Sequence, residues 1–128
     1  LMKSYHAWLD IGAGKVITQP MQRVLCQNFA SKLNGKIIFE LGEDVEFSKA
    51  KIQFKKMYTT DLKVDGFIFL GLEQFVKQKK LEINLMKDVL KKGYELHYIR
   101  QNLSFFSITD FKKSLNDLIL FSDLNKSN

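Results

Sequence analysis

Short apolar runs with strand character alternate along this chain with longer segments in which apolar residues recur every three or four positions. The clearest strand is 66–70, because Phe67, Ile68, Phe69 and Leu70 follow one another without a polar break. A strand that is apolar on both faces is typical of the centre of a parallel sheet covered by helices. Further strands are predicted over 4–8, 36–41 and 94–100, with a short edge strand over 103–106.

Helical segments lie between these strands and after the last one. Pro20 fits the first turn of a helix, and the spacing predicts that its inward face contains Met21, Val24, Leu25, Cys26, Phe29 and Leu33. Further helices are predicted over 43–60 and 78–92. Thr109 is expected to cap the last helix, whose inward stripe is predicted to contain Phe111, Leu115, Leu118 and Ile119.

This alternation predicts an α/β fold, a three-layer doubly wound sheet that is mostly parallel. Right-handed crossovers favour the strand order 2-1-3-4, with room for a short antiparallel edge strand. The 128 residues suffice for one domain with a real core. We assign 1–124 to that domain and 125–128 to a frayed polar tail.

The basic character of the chain comes almost entirely from lysine. The formal net charge is +6, yet Arg23 and Arg100 are the only arginines beside eighteen lysines. Arginine grips phosphates and guanines through a planar fork, whereas lysine is a hydrated point charge. A lysine-covered solvated surface is therefore favoured over specific nucleic-acid binding.

Several further classes of protein and site are disfavoured. The apolar runs fall far short of the roughly 20 residues that a membrane helix needs, and 1–10 lacks the pattern of a secretory signal. Cys26 is the only cysteine, which excludes an internal disulfide and suits a cytoplasmic, reducing location. With Cys26, His6 and His97 as the only soft ligands, no structural zinc site is expected. No cofactor is expected.

Ligands of doubly wound sheets bind beyond the carboxyl ends of the strands, near the point where strand order reverses. In the predicted order that crevice lies between the first and third strands. The residues that we predict to bind a ligand there follow the first strand (Lys15, Thr18 and Gln19), the second strand (Glu43) and the fourth strand (Arg100 and Gln101).

The loop 12–15, Gly-Ala-Gly-Lys, offers two interpretations. It can cradle a phosphate where it runs into a helix N-terminus. It departs from a P-loop, because one residue rather than four separates its glycines and Val16 follows the lysine. A flexible turn with Lys15 in solvent is favoured over a phosphate site.

Other side chains that carry chemistry have plain structural interpretations. Glu40 and Glu43 can serve as an acid and a base, but surface acids at a strand end are commoner. His6 and His97 lie within predicted strands and are interpreted as hydrogen-bonded sheet residues. Cys26 is interpreted as a packing residue, because an apolar setting raises the pKa of a thiol.

Three stretches carry a resemblance that extends over approximately Ile17 to Phe121. They are Thr18-Gln19-Pro20 with Gln22, Gln27 and Asn28; Asp65 to Phe69 before a Leu-x-x-Phe turn; and Glu95 to Leu103. In these stretches the chain resembles small bacterial proteins associated with sporadically distributed carbohydrate (surface-polysaccharide) biosynthesis clusters. Members tend to carry arginine where this chain has Gln19 and glutamate where it has Gln101. If the family uses those residues to bind or act on a ligand, the resemblance implies that this function is altered or lost here.

The predicted layout also resembles the catalytic domain of serine recombinases, in fold alone. Those enzymes use a serine nucleophile after the first strand and several arginines around the phosphate. This chain has no serine between Ala7 and Ala30 and holds two arginines in all. Recombinase chemistry is therefore not expected.

Two hypotheses from different classes follow. The first is a cytosolic accessory or enzyme-like protein of cell-surface carbohydrate biosynthesis, whose partner is a small anionic ligand such as a sugar phosphate or nucleotide sugar. The second is a non-enzymatic interaction module that forms a homodimer through apolar residues of the last helix, such as Leu120 and Phe121. The sequence leaves open whether a reaction is catalysed.

Overall fold

The structure is a computed structural model that describes residues 2–10, 17–43, 52–60, 62–77 and 79–127. Its elements are β1 (Lys3–Asp10), α1 (Gln19–Lys32), β2 (Gly35–Glu43), α2 (Ile52–Thr59), β3 (Gly66–Phe69), a 3₁₀ helix (Leu72–Phe75), β4 (Val76–Lys77), β5 (Lys80–Leu81), α3 (Ile83–Lys91), β6 (Glu95–Tyr98), β7 (Leu103–Phe105), α4 (Ile108–Lys113) and α5 (Leu115–Ser127).

Five strands form one central sheet in the order β2-β1-β3-β6-β7. All neighbours pair in parallel except β6 and β7, which are antiparallel. The prediction of an α/β fold with a mostly parallel sheet is confirmed. The order differs in detail from the predicted 2-1-3-4, because the strands β4 and β5 intervene and form a separate antiparallel hairpin. Strands of two residues carry too little pattern to be predicted.

The apolar strand β3 lies in the middle of the sheet, as its sequence predicts. Phe67 and Ile68 are fully buried, and Phe69 is nearly so. Gly66 lies against the backbone of Glu95 in β6, and a Cβ at position 66 would collide with it. The glycine therefore permits the close approach of β3 and β6 that sets the position of Glu95.

The helices are distributed unevenly over the two faces of the sheet. The larger core is aromatic and lies under α2, α3, α4 and α5. Phe54 of α2 is at its centre, with its ring centroid 5.2 Å from those of both Trp8 and Phe67. The smaller core packs under α1, the one helix among the described residues that contributes to it.

The face that α1 buries differs from the predicted face by one position. Gln22, Cys26 and Ala30 are fully buried, whereas Met21 and Val24 are 57% and 54% exposed and Leu25 is also exposed. Small side chains at 26 and 30 let the helix approach the sheet closely, and the Gln22 amide is drawn inward by backbone hydrogen bonds. The predicted inward positions of Met21, Val24 and Leu25 are therefore wrong.

The boundaries of other elements also differ from the predicted ones. β2 extends to Glu43, so the helix predicted from residue 43 is described only over Ile52–Thr59. The helix predicted from residue 78 begins at Ile83, because Lys80 and Leu81 belong to β5. Ser107, rather than Thr109, caps α4 by accepting a hydrogen bond from the Asp110 N–H.

The two apolar residues expected off the inner stripe of the last helix behave differently. Leu120 is 59% exposed, whereas Phe121 packs against the larger core. Ile119, predicted to face inward, is 44% exposed. No helix among the described residues is both long enough and apolar enough to cross a membrane.

Candidate functional site

A buried glutamine amide bridges the carboxyl ends of β1 and β3, where strand order reverses. Gln74 of the 3₁₀ helix accepts a hydrogen bond from the Leu70 N–H at 2.7 Å and donates one to the Trp8 carbonyl at 3.2 Å. The side chain thus occupies the position between β1 and β3 where the sequence predicts a ligand crevice. Polar groups exposed to solvent lie on either side of this bridge.

The first turn of α1 has few backbone donors left for an anion. Thr18 caps the helix, its Oγ1 accepting a hydrogen bond from the Met21 N–H at 3.4 Å, and the Gln22 N–H donates to the Thr18 carbonyl. Pro20 has no N–H group to offer. Thr18, a predicted ligand residue, therefore serves this helix end, and an anion nearby needs a side-chain cation.

A groove of about 140 Å³ with both polar and apolar lining residues lies beside this helix end, at the carboxyl ends of β1 and β2. It is lined by Leu9, Gln19, Arg23, Glu40, Leu41 and Gly42. Arg23 Nε contacts Glu40 Oε1 in an ion pair whose side chains are 43% and 37% exposed. An ion pair this exposed is worth about 0–1 kcal/mol. A bound anion can therefore take over the guanidinium at little cost.

On the other side of Gln74, the predicted residues Arg100 and Gln101 converge on Glu73. Gln101 Oε1 accepts a hydrogen bond from the Leu72 N–H at 3.0 Å, and its Nε2 donates to Glu73 Oε1 at 2.9 Å. Arg100 Nη1 lies 3.5 Å from Glu73 Oε2. This cluster fastens the 3₁₀ helix to the loop between β6 and β7, and Glu73 counters the charge of Arg100.

The structure thus divides the predicted site into two groups. Gln19 lines the groove between β1 and β2, whereas Arg100 and Gln101 follow β6, which β3 separates from β1 in the sheet. Glu43 ends β2 opposite Asp10, and its side chain lies outside the described residues. Lys15 and the rest of the loop 12–15 also lie outside them.

Arg23 is absent from the predicted site, and Glu40 is considered only as an acid or base at a strand end. Arg23 follows the cap by five positions on α1, and Glu40 lies on β2. Helix periodicity alone is enough to place a residue at this spacing on the side of α1 that faces β2. Arg23 was overlooked because the predicted inward face of α1 was wrong.

A second polar cluster lies on the face of the sheet covered by α1, away from the carboxyl edge. The Glu95 carboxylate accepts hydrogen bonds from Lys3 Nζ, from the Tyr5 hydroxyl and from His97 Nε2, each at 2.8 Å. His97 Nδ1 lies 2.7 Å from Ser104 Oγ, directly across the β6–β7 pair. His97 is a hydrogen-bonded sheet residue, as predicted.

The hydrogen bonds of this cluster stabilise the ionised form of Glu95. Burial acts to raise the pKa of the Glu95 carboxyl, but the hydrogen bonds from His97, Lys3 and Tyr5 outweigh it and leave the pKa lowered. Burial, together with the bond to Glu95, raises the pKa of Tyr5. The carboxylate is therefore ionised and the phenol neutral at physiological pH.

The remaining candidates have structural roles. Cys26 is fully buried, and burial raises the pKa of its thiol to about 12. His6 Nδ1 lies 3.0 Å from the Ala7 carbonyl, and burial lowers the pKa of its imidazole. Among the described residues, no group of three or more histidine, cysteine, aspartate or glutamate side chains is placed to hold a metal ion.

Comparisons with family models, with curated proteins and with solved structures return no match to this chain.

Proposed function

We propose that this protein binds a small anionic carbohydrate, of the size of a monosaccharide phosphate, in the groove between β1, β2 and the start of α1. The observation that supports the proposal is the meeting of a guanidinium, a carboxylate and a carboxamide around one groove of about 140 Å³. The protein acts as a cytosolic accessory or enzyme-like component of cell-surface carbohydrate biosynthesis in this proposal. The carbohydrate class draws on the sequence resemblance described above.

The volume of the groove favours the smaller of the two ligand types expected from the sequence. Sites for drug-sized ligands measure roughly 300–1,000 Å³, whereas this groove measures about 140 Å³. A nucleotide sugar would leave most of its surface in solvent. A single sugar ring with a phosphate fits the available space better.

The side chains that line the groove suit different parts of a sugar phosphate. The Arg23 guanidinium pairs with phosphate oxygens through its planar fork. Glu40, released from Arg23, accepts hydrogen bonds from sugar hydroxyls, and the Gln19 amide both donates and accepts. Leu9 and Leu41 supply apolar surface for the C–H face of a ring.

Calorimetric titration and thermal unfolding with glucose 1-phosphate, glucose, inorganic phosphate and UDP-glucose test this proposal. At 100 times Kd, a ligand stabilises the fold by about 2.7 kcal/mol, which corresponds to roughly 10 °C in Tm for a chain of this length. We expect glucose 1-phosphate to bind more tightly than glucose or phosphate alone.

Arg23→Gln provides the specific variant and Lys32→Gln the matched control, because Lys32 is exposed near the other end of the same helix. Arg23→Gln should weaken binding of glucose 1-phosphate at least about tenfold, as expected for the loss of a charge-assisted pair, and Lys32→Gln should leave it unchanged. Equal weakening by both variants, or no binding at 10 mM ligand, would reject the groove as the site.

We propose, as a second candidate function, that the chain acts as an interaction module by forming a homodimer through β2 and α1 rather than through α5. β2 is an edge strand of nine residues, and no other described strand pairs with its outer side. Ile38 and Phe39 on this strand are 39% and 50% exposed. Long exposed apolar edges are unusual in monomers, because they template pairing with another chain.

The partner in this candidate is a second copy of the chain. Two β2 strands can pair about a twofold axis. The solvent-exposed side of α1, which packs on β2, adds an apolar groove of about 270 Å³ lined by Pro20, Met21, Val24 and Leu25. Light scattering tests it: a dimer that Phe39→Lys converts to a monomer supports the surface. A strict monomer at high concentration, or a dimer that persists in Phe39→Lys, rejects it.

A further inference from the structure

The hydrogen bonds of the Glu95 cluster fix where its protons lie. The carboxylate of Glu95 can only accept, so His97 Nε2, at 2.8 Å, must donate to it. In a neutral imidazole the other nitrogen then carries a lone pair. His97 Nδ1 therefore accepts, and the Ser104 hydroxyl donates its proton to it across 2.7 Å.

Burial is complete for His97 and partial for Ser104. His97 is fully buried, between the rings of Tyr5, Phe29 and Phe106 at centroid distances of 5.3, 5.9 and 5.2 Å. Ser104 lies on the edge strand β7 and is partly exposed. A shielded base that accepts a hydrogen bond from a partly exposed serine is the arrangement that activates a serine nucleophile.

We propose that Ser104 is a nucleophile for acyl transfer, with His97 as its general base and Glu95 as the residue that positions His97. The substrate class is a carboxylic ester with a short acyl group. The Phe106 ring, 49% exposed and beside the imidazole, offers an apolar rim for such a group, and Lys3 Nζ lies 5.2 Å from the centroid of that ring. This site is separate from the carboxyl-edge groove and does not rest on the proposed function.

The reaction balances without any cofactor. Ser104 Oγ attacks the ester carbonyl carbon as its proton passes to His97 Nδ1. The bond to the leaving alkoxide breaks, and the alkoxide takes that proton to leave as an alcohol, with the acyl group on Ser104. Water then attacks the acyl-serine while His97 takes its proton, and the acid departs as the proton returns to Ser104 Oγ.

Glu95 keeps the imidazole in the tautomer that this sequence of steps requires. It is held by Lys3 and Tyr5 from β1 as well as by His97 on its own strand. An imidazole in the other tautomer cannot accept the Ser104 proton at Nδ1, so the rate of acyl transfer should depend on the Glu95 carboxylate.

A fluorophosphonate probe, which reacts with activated serines, tests the proposal on the full chain, with peptide mass spectrometry to locate the adduct. We expect an adduct on Ser104, formed at least about 100-fold faster than on Ser31, an exposed serine on α1 without such a partner among the described contacts. Hydrolysis of p-nitrophenyl acetate should continue past one equivalent per chain, which acylation of lysines alone does not produce.

Variants separate a catalytic from a structural role. Ser104→Ala should abolish the adduct and the turnover, whereas Ser31→Ala should retain both. Ser104→Cys keeps a nucleophile in place should Ser104→Ala fold poorly, and its new thiol should react with iodoacetamide at least about tenfold faster than the thiol of Ser31→Cys, at an exposed position on α1. Glu95→Gln should slow the labelling by about 100-fold, as expected when an imidazole loses the partner that fixes its tautomer. Glu95→Asp, which keeps a carboxylate, should recover part of that rate.

Two results would overturn the proposal. One is labelling of Ser104 no faster than that of Ser31. The other is turnover that persists in folded Ser104→Ala or, for the alternative variant, a thiol at position 104 that is no more reactive than the thiol of Ser31→Cys. In either case the hydrogen bond to His97 only satisfies a buried ring nitrogen.

Discussion

Gln22 of α1 binds both backbone groups of Asp10, the last residue of β1. The Asp10 N–H donates to Gln22 Oε1 and the Asp10 carbonyl accepts from Gln22 Nε2, each at 3.0 Å. The same Nε2 donates to the Ile17 carbonyl at 3.0 Å. One buried amide thus joins the end of the strand to the approach of the helix, and so supports the wall of the groove that contains Gln19 and Arg23.

Replacing this amide should destabilise the protein strongly. We expect Gln22→Ala to lower the free energy of unfolding by about 3 kcal/mol, because three hydrogen bonds worth roughly 1 kcal/mol each are lost. Urea unfolding followed by fluorescence of the buried Trp8 measures this change. Gln27→Ala, at an exposed position of the same helix, should stay within about 0.5 kcal/mol of the wild type. Equal effects of the two variants would contradict the role of Gln22.

The Glu95 cluster should make stability depend on pH. The pKa of Glu95 in the folded protein lies below its ordinary value of 4.5, since the donors from His97, Lys3 and Tyr5 outweigh the effect of burial. A lowered carboxyl pKa contributes stability above pH 4.5, and that contribution is lost as the pH falls through the folded value. Glu95→Gln should therefore be less stable than wild type at pH 7, and the difference should shrink toward pH 3.

Glu73→Gln provides the comparison for this titration, because Glu73 is an exposed carboxylate with a weak ion pair. Its effect should stay below about 1 kcal/mol at both pH values. Urea unfolding at pH 7 and pH 3 measures both variants. A gap between wild type and Glu95→Gln that is the same at the two pH values would contradict the assignment.

The buried thiol of Cys26 should be inert in the native state. Burial, together with the nearby charge of Glu40, raises its pKa to about 12, so the reactive thiolate is scarce at pH 8. We expect no reaction with a disulfide reagent such as DTNB over minutes at pH 8, and one equivalent of reaction after unfolding in urea. Rapid reaction of the native protein would show that α1 does not cover this position.

The fold was predictable where local pattern and burial agree. The run Phe67 to Phe69 is apolar because both faces of β3 are covered, so its central place follows from the sequence. Pattern failed on α1, where the buried positions are held by Gln22 and by small residues while Met21 and Val24 face solvent. Hydrophobic pattern assigns a glutamine to the surface, but Gln22 is buried because its amide bonds the backbone groups at the end of β1.

The functional sites were less accessible to sequence reasoning, because they depend on pairing across the fold. Glu95 and His97 are two positions apart on one strand and therefore share a face of the sheet, which the sequence alone predicts. Ser104 joins them only through the register that places it opposite His97. Arg23 and Glu40 likewise meet through the packing of α1 on β2, and Gln74 fills the predicted crevice from a 3₁₀ helix that the pattern does not indicate.

The central functional proposal is that the groove of Gln19, Arg23 and Glu40 holds an anionic sugar. Titration of ¹⁵N-labelled protein with glucose 1-phosphate, followed by amide chemical shifts, tests it most directly. We predict saturable shifts concentrated at Gln19, Arg23 and Gly42, with Gly93 at the far end of α3 unchanged. Shifts scattered over the lysine-rich surface without saturation, or the same saturable shifts in Arg23→Gln, would contradict it.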